Sequence, residues 1–289
     1  MATTNGSSTP HPATTHDNNF ALANFLHQRI PTGNKYTSGR LLIDAGSSQF
    51  PGAAVLAVGG ARRGGAGYIN YLAREKLPTE LVLHAYPDVV PLNVASDAEE
   101  ISRATTVLIG PGSPDAKALP DAQRVIIDGG ALALVTTPAP IGQLWVLTPH
   151  EGEVKKMGFD PSNRQSCALQ VAQELRAITL LKGYRSIIAT PDGILHIDEI
   201  GGPELSTAGT GDVLAGLIAS MLASHQPTTI AAAAPIVVNA VRIFVTAGKS
   251  ALAKRAPLVA TDLLEEIPLQ IARGALYGGA GEELSSEES

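Results

Sequence analysis

A glycine-rich stretch that contains one aspartate carries the strongest chemical signal in this chain. Residues 209–212 read Gly-Thr-Gly-Asp, and an apolar run with the spacing of one helical face begins at Val213. The stretch therefore predicts a loop that leads into a helix. The first N–H groups of a helix lack intrahelical partners and carry the positive end of its dipole, so they suit an anion. The carboxylate of Asp212 beside such a site indicates a general base for phosphoryl transfer; the simpler alternative is a Thr or Asp N-cap in a glycine-rich turn.

Short apolar runs in the sequence predict the strands of a sheet that positions this loop. Several of these runs are followed by polar or glycine-rich clusters. The runs are residues 41–45, 68–72, 81–85, 106–109, 125–127, 144–147 and 178–181. Continuous apolar strands of this length indicate a sheet buried on both faces, with parallel strands and covering helices. The clusters that follow four of these runs are residues 110–112, 128–130, 148–151 and 182–183. Because ligands bind beyond the carboxyl ends of strands in open α/β sheets, we expect these clusters to face one crevice.

Helices and one hairpin complete the predicted domain. One helix begins at Pro51 and ends before the glycines of residues 64–67, and alanine-rich helices are predicted over residues 228–254 and 261–267. A hairpin with a Pro-Asp-Gly turn is predicted over residues 186–197. These elements provide the covering helices that a buried parallel sheet requires.

Composition indicates one domain between two polar tails. Residues 1–19 predict a disordered tail, residues 278–289 a flexible acidic tail, and residues 20–277 a single domain without internal repeats. The formal charge of −6 includes four glutamates of the acidic tail, so the remainder carries about −2 and predicts no nucleic-acid surface. The single Cys167 excludes an internal disulfide and fits a cytoplasmic location. No apolar run is expected to be long enough to span a membrane, and the N-terminal tail is not a signal peptide.

These motifs together resemble those of the ADP- or ATP-dependent NAD(P)H-hydrate dehydratases, a branch of the ribokinase-like superfamily. Residues 148–153 read Thr-Pro-His-Glu-Gly-Glu, close to the family's Thr-Pro-His-Pro-Gly-Glu, and residues 181–183 read Leu-Lys-Gly. The Gly-Thr-Gly-Asp loop indicates only the wider superfamily, whereas the Thr-Pro-His element narrows it. The resemblance spans nearly all of the predicted domain. It implies a ribokinase-like three-layer α/β sandwich with a central, mostly parallel sheet and helices on both faces.

The resemblance also implies a reaction that repairs damaged nicotinamide nucleotides. Hydration of the nicotinamide ring inactivates NADH and NADPH, and the family reverses it for the S form of the hydrate. ADP or ATP, with Mg²⁺, phosphorylates the ring hydroxyl, and phosphate then leaves while the ring double bond re-forms. Hydroxide is a poor leaving group, whereas phosphate is a good one. A site that transfers a phosphoryl group, as a kinase does, therefore leads here to an elimination, which is a lyase reaction.

Site residues carried over from the family fall into three groups. Asp212 is implied as the base, and the amides of Gly209, Thr210 and Gly211 are implied to hold the transferred phosphoryl group. Hydrate contacts are implied for Ala53, Gly112, His150 and Asp212. Nucleotide contacts are implied for Lys182, Gly183, Tyr184, Arg185, Ser186 and Gly211. Simpler alternatives remain: Ala53 and Gly112 permit tight turns, His150 is a hydrogen-bonded strand-end residue, and Lys182 is a solvated surface lysine.

The sequence departs from the family pattern at several positions. Asp128 and two glycines stand where many relatives have Asp-Ala-Asp, so the second carboxylate is replaced by Gly130 and the metal ligands are left open. Glu151 replaces a proline and Phe244 replaces a histidine, which affects the predicted substrate contacts. The residues before Lys35 are too few and too polar to form the epimerase domain of many bacterial relatives. We therefore expect the chain to work with a separately encoded epimerase. We also expect a homo-oligomer, in which the alanine-rich helices pack against partners; packing against the sheet alone is the alternative.

Two other functions stay open from the residues alone. One is a small-molecule kinase of the same superfamily, acting on a hydroxymethylpyrimidine, a thiazole or a sugar alcohol. The other is a non-catalytic nucleotide-binding protein, which the missing second carboxylate favours and the intact Gly-Thr-Gly-Asp loop opposes. The choice between ADP and ATP is also open, and the single-domain organisation favours ADP.

Overall fold

A nine-stranded sheet runs through the part of the chain that the computed structural model describes, residues 31–278. In chain order its strands are β1 (Arg40–Asp44), β2 (Tyr68–Leu72), β3 (Val90–Leu92), β4 (Thr106–Ile109), β5 (Arg124–Ile127), β6 (Leu144–Leu147), β7 (Ile178–Leu181), β8 (Ile187–Ala189) and β9 (Leu195–Ile197). The spatial order is β3-β2-β1-β4-β5-β6-β7-β8-β9. Pairing is parallel from β3 to β7 and antiparallel from β7 to β9. The predictions for residues 1–30 and 279–289 lie outside the described part.

Helices connect the strands and cover the sheet. They are α1 (Pro51–Ala61), α2 (Lys76–Ala85), α3 (Ala98–Ser102), α4 (Glu151–Lys156), α5 (Arg164–Leu175), α6 (Thr210–His225), α7 (Ile230–Leu252) and α8 (Ala260–Gly278). Short 3₁₀ turns lie at Gly129–Leu134 and Pro203–Leu205. The predicted tail boundary falls at Gly278, which is the last residue of α8.

Alternating residues of the strands form two apolar cores, one on each face of the sheet. Ile43 and Leu108 pack with side chains of α1, α6, α7 and α8. Leu42 and Val107 lie on the other face, in a core shared with α5 and the turn at Gly129–Leu134. Strands buried on both faces explain why their sequences are continuous apolar runs rather than alternating ones. The predicted three-layer α/β sandwich is the observed architecture.

Most predicted elements agree with the structure, and one predicted strand is wrong. The runs at 106–109, 144–147 and 178–181 are strands β4, β6 and β7, and the predicted hairpin is the β8–β9 pair. Residues 81–85, however, form the second half of α2. In that helix the buried residues are Pro78 and Val82, one helical turn apart, so the run belongs to an amphipathic helix.

Helix α7 corrects the expectation that no apolar run is long enough to span a membrane. It has 23 residues, and by length and hydropathy it meets the criterion for a membrane span. In the fold, 56% of its apolar window is buried, with Val237, Val241 and Phe244 in the core beside α6 and α8. Its hydropathy is thus explained by packing inside the domain.

Helices α1 and α6 lie in close backbone contact and run in the same direction. A Cβ atom placed on Gly60 would lie 2.1 Å from the carbonyl oxygen of Val213, and one on Gly209 would lie 2.3 Å from Leu56 Cδ1. Beyond the end of α1, a Cβ on Gly64 would meet Ser220 at 2.6 Å. From Leu56 to Gly64 the contacted residues advance from Gly209 to Ser220, which shows that the two helices run in the same direction. This packing brings both N-termini to the same end of the sheet.

Candidate active site

Predicted polar clusters meet at the carboxyl edge of the parallel sheet. Asp128 directly follows β5, and Lys182 directly follows β7. Backbone pairing continues beyond the strand ends, because the amide of Asp128 donates to the Ile109 carbonyl at 3.0 Å and that of Lys182 to the Pro149 carbonyl at 2.8 Å. A parallel bridge pairs His150 with Lys182. The sheet register therefore holds the clusters side by side, as expected for strand ends in an open α/β sheet.

A crevice of about 280 Å³ lies between this edge and the N-terminus of α6. It is lined by six of the residues predicted to bind ligands, which are His150, Lys182, Gly183, Ser186, Thr210 and Gly211, whereas Gly209 and Asp212 lie outside this lining. Its apolar wall is formed by Leu205, Leu214, Phe244 and Val245. Tyr184 and Arg185 belong to the same loop as Lys182 but are exposed outside this lining. A concave site with an apolar wall and a few convergent polar groups is typical of small-molecule binding.

Helix α6 begins without a capping side chain, which leaves its first amides available. Gly209 occupies the N-cap position with φ of +88°, a conformation that favours glycine. Within residues 31–278, no protein acceptor pairs with the amides of Gly211 and Asp212. The amide of Thr210, which was also predicted to hold the phosphoryl group, instead donates to the Thr207 carbonyl at 3.3 Å, so that part of the prediction is wrong. The predicted loop-to-helix transition is confirmed, and the Thr or Asp N-cap alternative is wrong. Unpaired amides at a helix N-terminus form a site for an anion.

Asp212 lies in the first turn of α6, where its surroundings oppose ionisation. Burial raises its pKa most, the nearby Asp128 and Glu153 carboxylates raise it further, and Lys182 lowers it, with the result that the pKa reaches about 7. A carboxyl group of this pKa exchanges a proton readily near neutral pH. That property suits a general base.

Lys182 is held at the same place by a buried carboxylate. Its Nζ atom donates to Asp128 Oδ1 at 2.6 Å, and Thr148 Oγ1 donates to the same oxygen at 2.7 Å. Burial lowers the pKa of Lys182, but the carboxylates of Asp128, Glu153 and Asp212 outweigh that effect and raise the pKa overall. The side chain is 18% exposed, so the solvated-lysine alternative is wrong. A Cβ on Gly211 would lie 3.4 Å from Nζ, which places the ammonium group beside the anion site.

His150 has both a structural contact and access to the crevice. Its Nδ1 accepts hydrogen bonds from the amides of Gly152 (2.9 Å) and Glu153 (3.2 Å), and the Glu153 carboxylate accepts one from the His150 amide at 2.8 Å. This capping box begins α4. Because Nδ1 accepts, the neutral ring carries its proton on Nε2. The helix uses Nδ1; Nε2 lies 3.6 Å from Glu153 Oε1, beyond hydrogen-bond distance, and is a donor that a ligand can reach.

Comparisons with known proteins agree with this arrangement. A family model described as NAD(P)H-hydrate dehydratase matches residues 41–269. The chain belongs to the NAD(P)H-hydrate dehydratase family. The ADP-dependent (S)-NAD(P)H-hydrate dehydratase of Xanthomonas campestris pv. campestris is 33% identical over 267 residues, covering 83% of this chain and 89% of the relative.

Solved structures extend the agreement to the fold. A crystal structure of ADP/ATP-dependent NAD(P)H-hydrate dehydratase from Bacillus subtilis, co-crystallized with ATP/Mg²⁺, superposes with a TM-score of 0.74 at 28% identity. The match covers 88% of this chain and 96% of that one. A ribokinase-like superfamily protein from Enterococcus faecalis superposes with a TM-score of 0.74 at 22% identity, over 88% of this chain and 94% of that one, which shows the fold alone. The predicted ribokinase-like class is confirmed.

Two residues that the family resemblance assigns to the hydrate lie together at the start of α1. Ala53 belongs to its first turn, and a Cβ on Gly112 would lie 2.4 Å from Ala53 Cβ. Gly112 also takes φ of +62°, so both a turn and close packing require glycine there. The pair lies beside a second cavity of about 240 Å³ lined by Gly46, Ser47 and other residues, and it does not line the crevice at α6.

The described residues do not form a set of protein ligands for the Mg²⁺ that the family resemblance implies. Asp128 is occupied by Lys182 and Thr148. A Cβ on Gly130 would lie 2.2 Å from the carbonyl oxygen of Ser113, so a second carboxylate cannot be placed there without moving the backbone. Over the described part of the chain, no group of three or more His, Cys, Asp or Glu side chains is arranged to hold a metal ion. The residues present do not fit a metal held by the protein itself.

Sequence patterns missed two charged residues at this site. Glu153 acts on Asp212 and completes the His150 capping box, and its position three residues after His150 was the available signal. Arg164 contacts the loop that follows β7, and no local pattern in the sequence indicates this. Both depend on how α4 and α5 pack against the sheet edge.

Proposed function

We propose that this chain restores NADH and NADPH from the S form of their hydrates in a nucleotide-dependent dehydration. One observation carries the proposal: Asp212, with a pKa of about 7, lies beside two unpaired helix amides and the Lys182 ammonium group. A carboxylate base next to an anion site fits phosphoryl transfer to a hydroxyl. Family membership supports the dehydratase over a small-molecule kinase that would retain the phosphate on its product.

The proposed first step transfers a phosphoryl group to the ring hydroxyl of the hydrate. Asp212 accepts the hydroxyl proton while the oxygen attacks the terminal phosphorus of the nucleotide, and the bond to the leaving phosphate oxygen breaks. The amides of Gly211 and Asp212, together with Lys182, stabilise the negative charge on the transferred group. In the second step the ring nitrogen expels phosphate. Loss of a proton from the neighbouring ring carbon then re-forms the double bond.

ADP or ATP is the proposed co-substrate, bound along the crevice. Lys182, Gly183 and Ser186 line its polar side, and Phe244 and Val245 offer an apolar surface for a base. Mg²⁺ is proposed to enter with the nucleotide phosphates and its own waters, a mode of binding that needs few protein ligands. No proposed step depends on the ion.

Ala53 and Gly112 are proposed to contact the hydrate from the α1 side, and His150 from the α4 side. Support comes from the parallel packing of α1 against α6, which brings the first turns of both helices to the same end of the sheet. The second cavity beside Gly112 offers room for the remainder of a dinucleotide. His150 contributes the Nε2–H donor that its tautomer leaves available.

A direct test incubates the full chain with hydrated NADH, Mg²⁺ and either ADP or ATP, and follows the long-wavelength absorbance of the nicotinamide ring. We expect absorbance to recover only with nucleotide, and orthophosphate to appear in equal amount. No recovery with either nucleotide would contradict the proposal. A stable phosphorylated alcohol without absorbance recovery would indicate the kinase instead.

We further propose that the chain acts in the cytoplasm as a homo-oligomer, with a separate epimerase supplying the S form. The buried, unpaired Cys167 supports a reducing compartment. Exposed apolar side chains on α2, Leu77 and Leu81, support self-association. Light scattering at several concentrations tests the oligomer, and a particle of monomer mass throughout would contradict it.

A further inference from the structure

Arg164 makes an unusual set of contacts with the loop that follows β7. Its Nη1 atom donates to the carbonyl oxygens of Tyr184 (2.7 Å) and Arg185 (3.0 Å). Its Nη2 atom donates to those of Leu181 (3.4 Å) and Lys182 (3.3 Å). One guanidinium group thus contacts the carbonyl oxygen of the last residue of β7 and three carbonyl oxygens of the loop proposed to bind the nucleotide.

Arg164 occupies a position in α5 that helix stability alone does not explain. Arg164 is the first residue of α5, directly after the N-cap Asn163, where the helix dipole disfavours a positive charge. The loop accommodates it, because Gly183 takes φ of +146° and a Cβ there would lie 2.7 Å from Nη2. The charge of Arg164 is unfavourable for α5, and Gly183 leaves the space that the guanidinium group occupies. This combination indicates that Arg164 has a role other than stabilising the helix.

Arg164 binds carbonyl oxygens of the loop, which leaves the backbone amides as the groups available to a ligand. Arg164 binds three carbonyl oxygens of this short loop and that of Leu181 at the end of β7. In the described structure, no protein acceptor pairs with the amides of Gly183, Tyr184 and Arg185. Unpaired amides in a tight loop are suited to phosphate oxygens. Arg164 therefore holds the loop in a form that offers donors.

Glu151 forms an ion pair with the Nε side of the same guanidinium group. Its Oε1 atom lies 3.0 Å from Arg164 Nε, close enough for an ion pair but without the geometry of a hydrogen bond. Glu151 is the residue that replaces the proline of the family pattern, and it is adjacent to His150 in the first turn of α4. The ion pair thus connects the segment that carries His150 with the loop that carries Lys182.

We propose that Arg164, oriented by Glu151, is a positioning residue that preorganises residues 182–186 for the phosphates of ADP or ATP. The proposal rests on the proposed function for its ligand. Arg164 acts through the loop and does not touch the reacting atoms. Without Arg164 the loop is less ordered before the nucleotide binds. Binding is then weaker, because part of the binding free energy is used to order the loop.

The test compares Arg164→Met, Arg164→Lys and a matched control, Arg176→Met, in the full chain. Arg176 follows the last residue of α5 and donates to the Ala139 carbonyl oxygen at 2.6 Å, away from the loop. Calorimetry gives Kd for ADP and for ATP, and steady-state rates with hydrated NADH give KM and kcat. Hydrogen exchange reports protection of the loop amides.

We expect Arg164→Met to raise the nucleotide Kd and KM about tenfold and to reduce kcat less than about threefold. Arg164→Lys retains a charge without the planar fork, so we expect it to recover part of the loss. Arg176→Met lowers thermal stability and leaves nucleotide Kd at the wild-type value. In Arg164→Met we also expect faster exchange in residues 182–186.

Wild-type nucleotide Kd in Arg164→Met, or an equal loss in Arg176→Met, would overturn the positioning role. Binding and exchange are measured without the hydrate, so they separate this proposal from the proposed function. If the wild type binds ADP but does not restore NADH, the dehydratase proposal fails while the Arg164 result stands. Absence of ADP and ATP binding by the wild type would overturn both.

Discussion

Asp212 lies among one positive and two negative side chains, and their balance determines when it can accept a proton. Burial and the Asp128 and Glu153 carboxylates raise its pKa, and Lys182 opposes them, so that the pKa is about 7. Below that value most molecules hold a protonated Asp212, which cannot act as a base. Above it the carboxylate form predominates.

Activity should therefore rise with pH through about 7. We expect kcat/KM for the hydrate to increase tenfold per pH unit well below the pKa of Asp212 and to level off above it. Asp128→Asn removes one cause of the raised pKa, so the midpoint should move to lower pH. Rates measured over about pH 5.5–8.5 in constant ionic strength give both midpoints. A flat profile in the wild type would contradict this role.

Substitutions of His150 separate its contact with helix α4 from its proposed contact with the hydrate. Asn is a strong N-cap residue, so His150→Asn should keep the stability of the wild type to within about 0.5 kcal/mol, whereas His150→Ala should lose about 1 kcal/mol. Both variants lack the Nε2–H donor, and both should raise KM for the hydrate about tenfold, the cost of one lost hydrogen bond. Denaturant unfolding and steady-state kinetics measure the two effects. An unchanged KM in both variants would limit His150 to capping α4.

The site depends on how closely helix α1 approaches helix α6. Gly216 provides the close contact, because a Cβ there would lie 1.9 Å from the carbonyl oxygen of Ala57. That atom is backbone and cannot move aside alone. A side chain at this position must therefore separate the helices whose first turns carry Ala53 and Asp212.

Gly216→Ala should lower both stability and activity. We expect the free energy of unfolding to fall by about 2–4 kcal/mol and kcat/KM to fall at least tenfold, since the two helix N-termini shift relative to each other. Gly52→Ala is the stability control, because a Cβ there meets nothing within 4 Å and helix propensity should rise. Chemical denaturation tests the comparison. Equal stability of Gly216→Ala and the wild type would contradict the packing argument.

The sequence predicted the central sheet better than its margins. Runs such as 144–147 are apolar throughout because both faces of the sheet are buried. The edge strand β3 has three residues including Pro91, too few to show a pattern. The apolar run at 81–85 predicts a strand because Pro78, which shares the buried helical face with Val82, lies outside the run.

Motifs predicted the contents of the site, but not its charge network. The Gly-Thr-Gly-Asp loop and the Thr-Pro-His element pointed to Asp212 and His150 from local sequence. The pairing of Lys182 with Asp128 depends on the register of β5, β6 and β7, and the contacts of Arg164 depend on the packing of α5. Such pairs join residues distant in sequence, so a single sequence does not reveal them.

The proposed reaction depends on Asp212 as the base of a phosphorylation whose product does not persist. The most direct measurement compares Asp212→Asn with the wild type in restoring NADH from its hydrate, with Kd for ADP and ATP measured in parallel. We expect turnover to fall at least ~100-fold, the contribution typical of a general base, while nucleotide Kd changes less than about threefold. Turnover equal to that of the wild type would remove Asp212 from the mechanism and contradict the account.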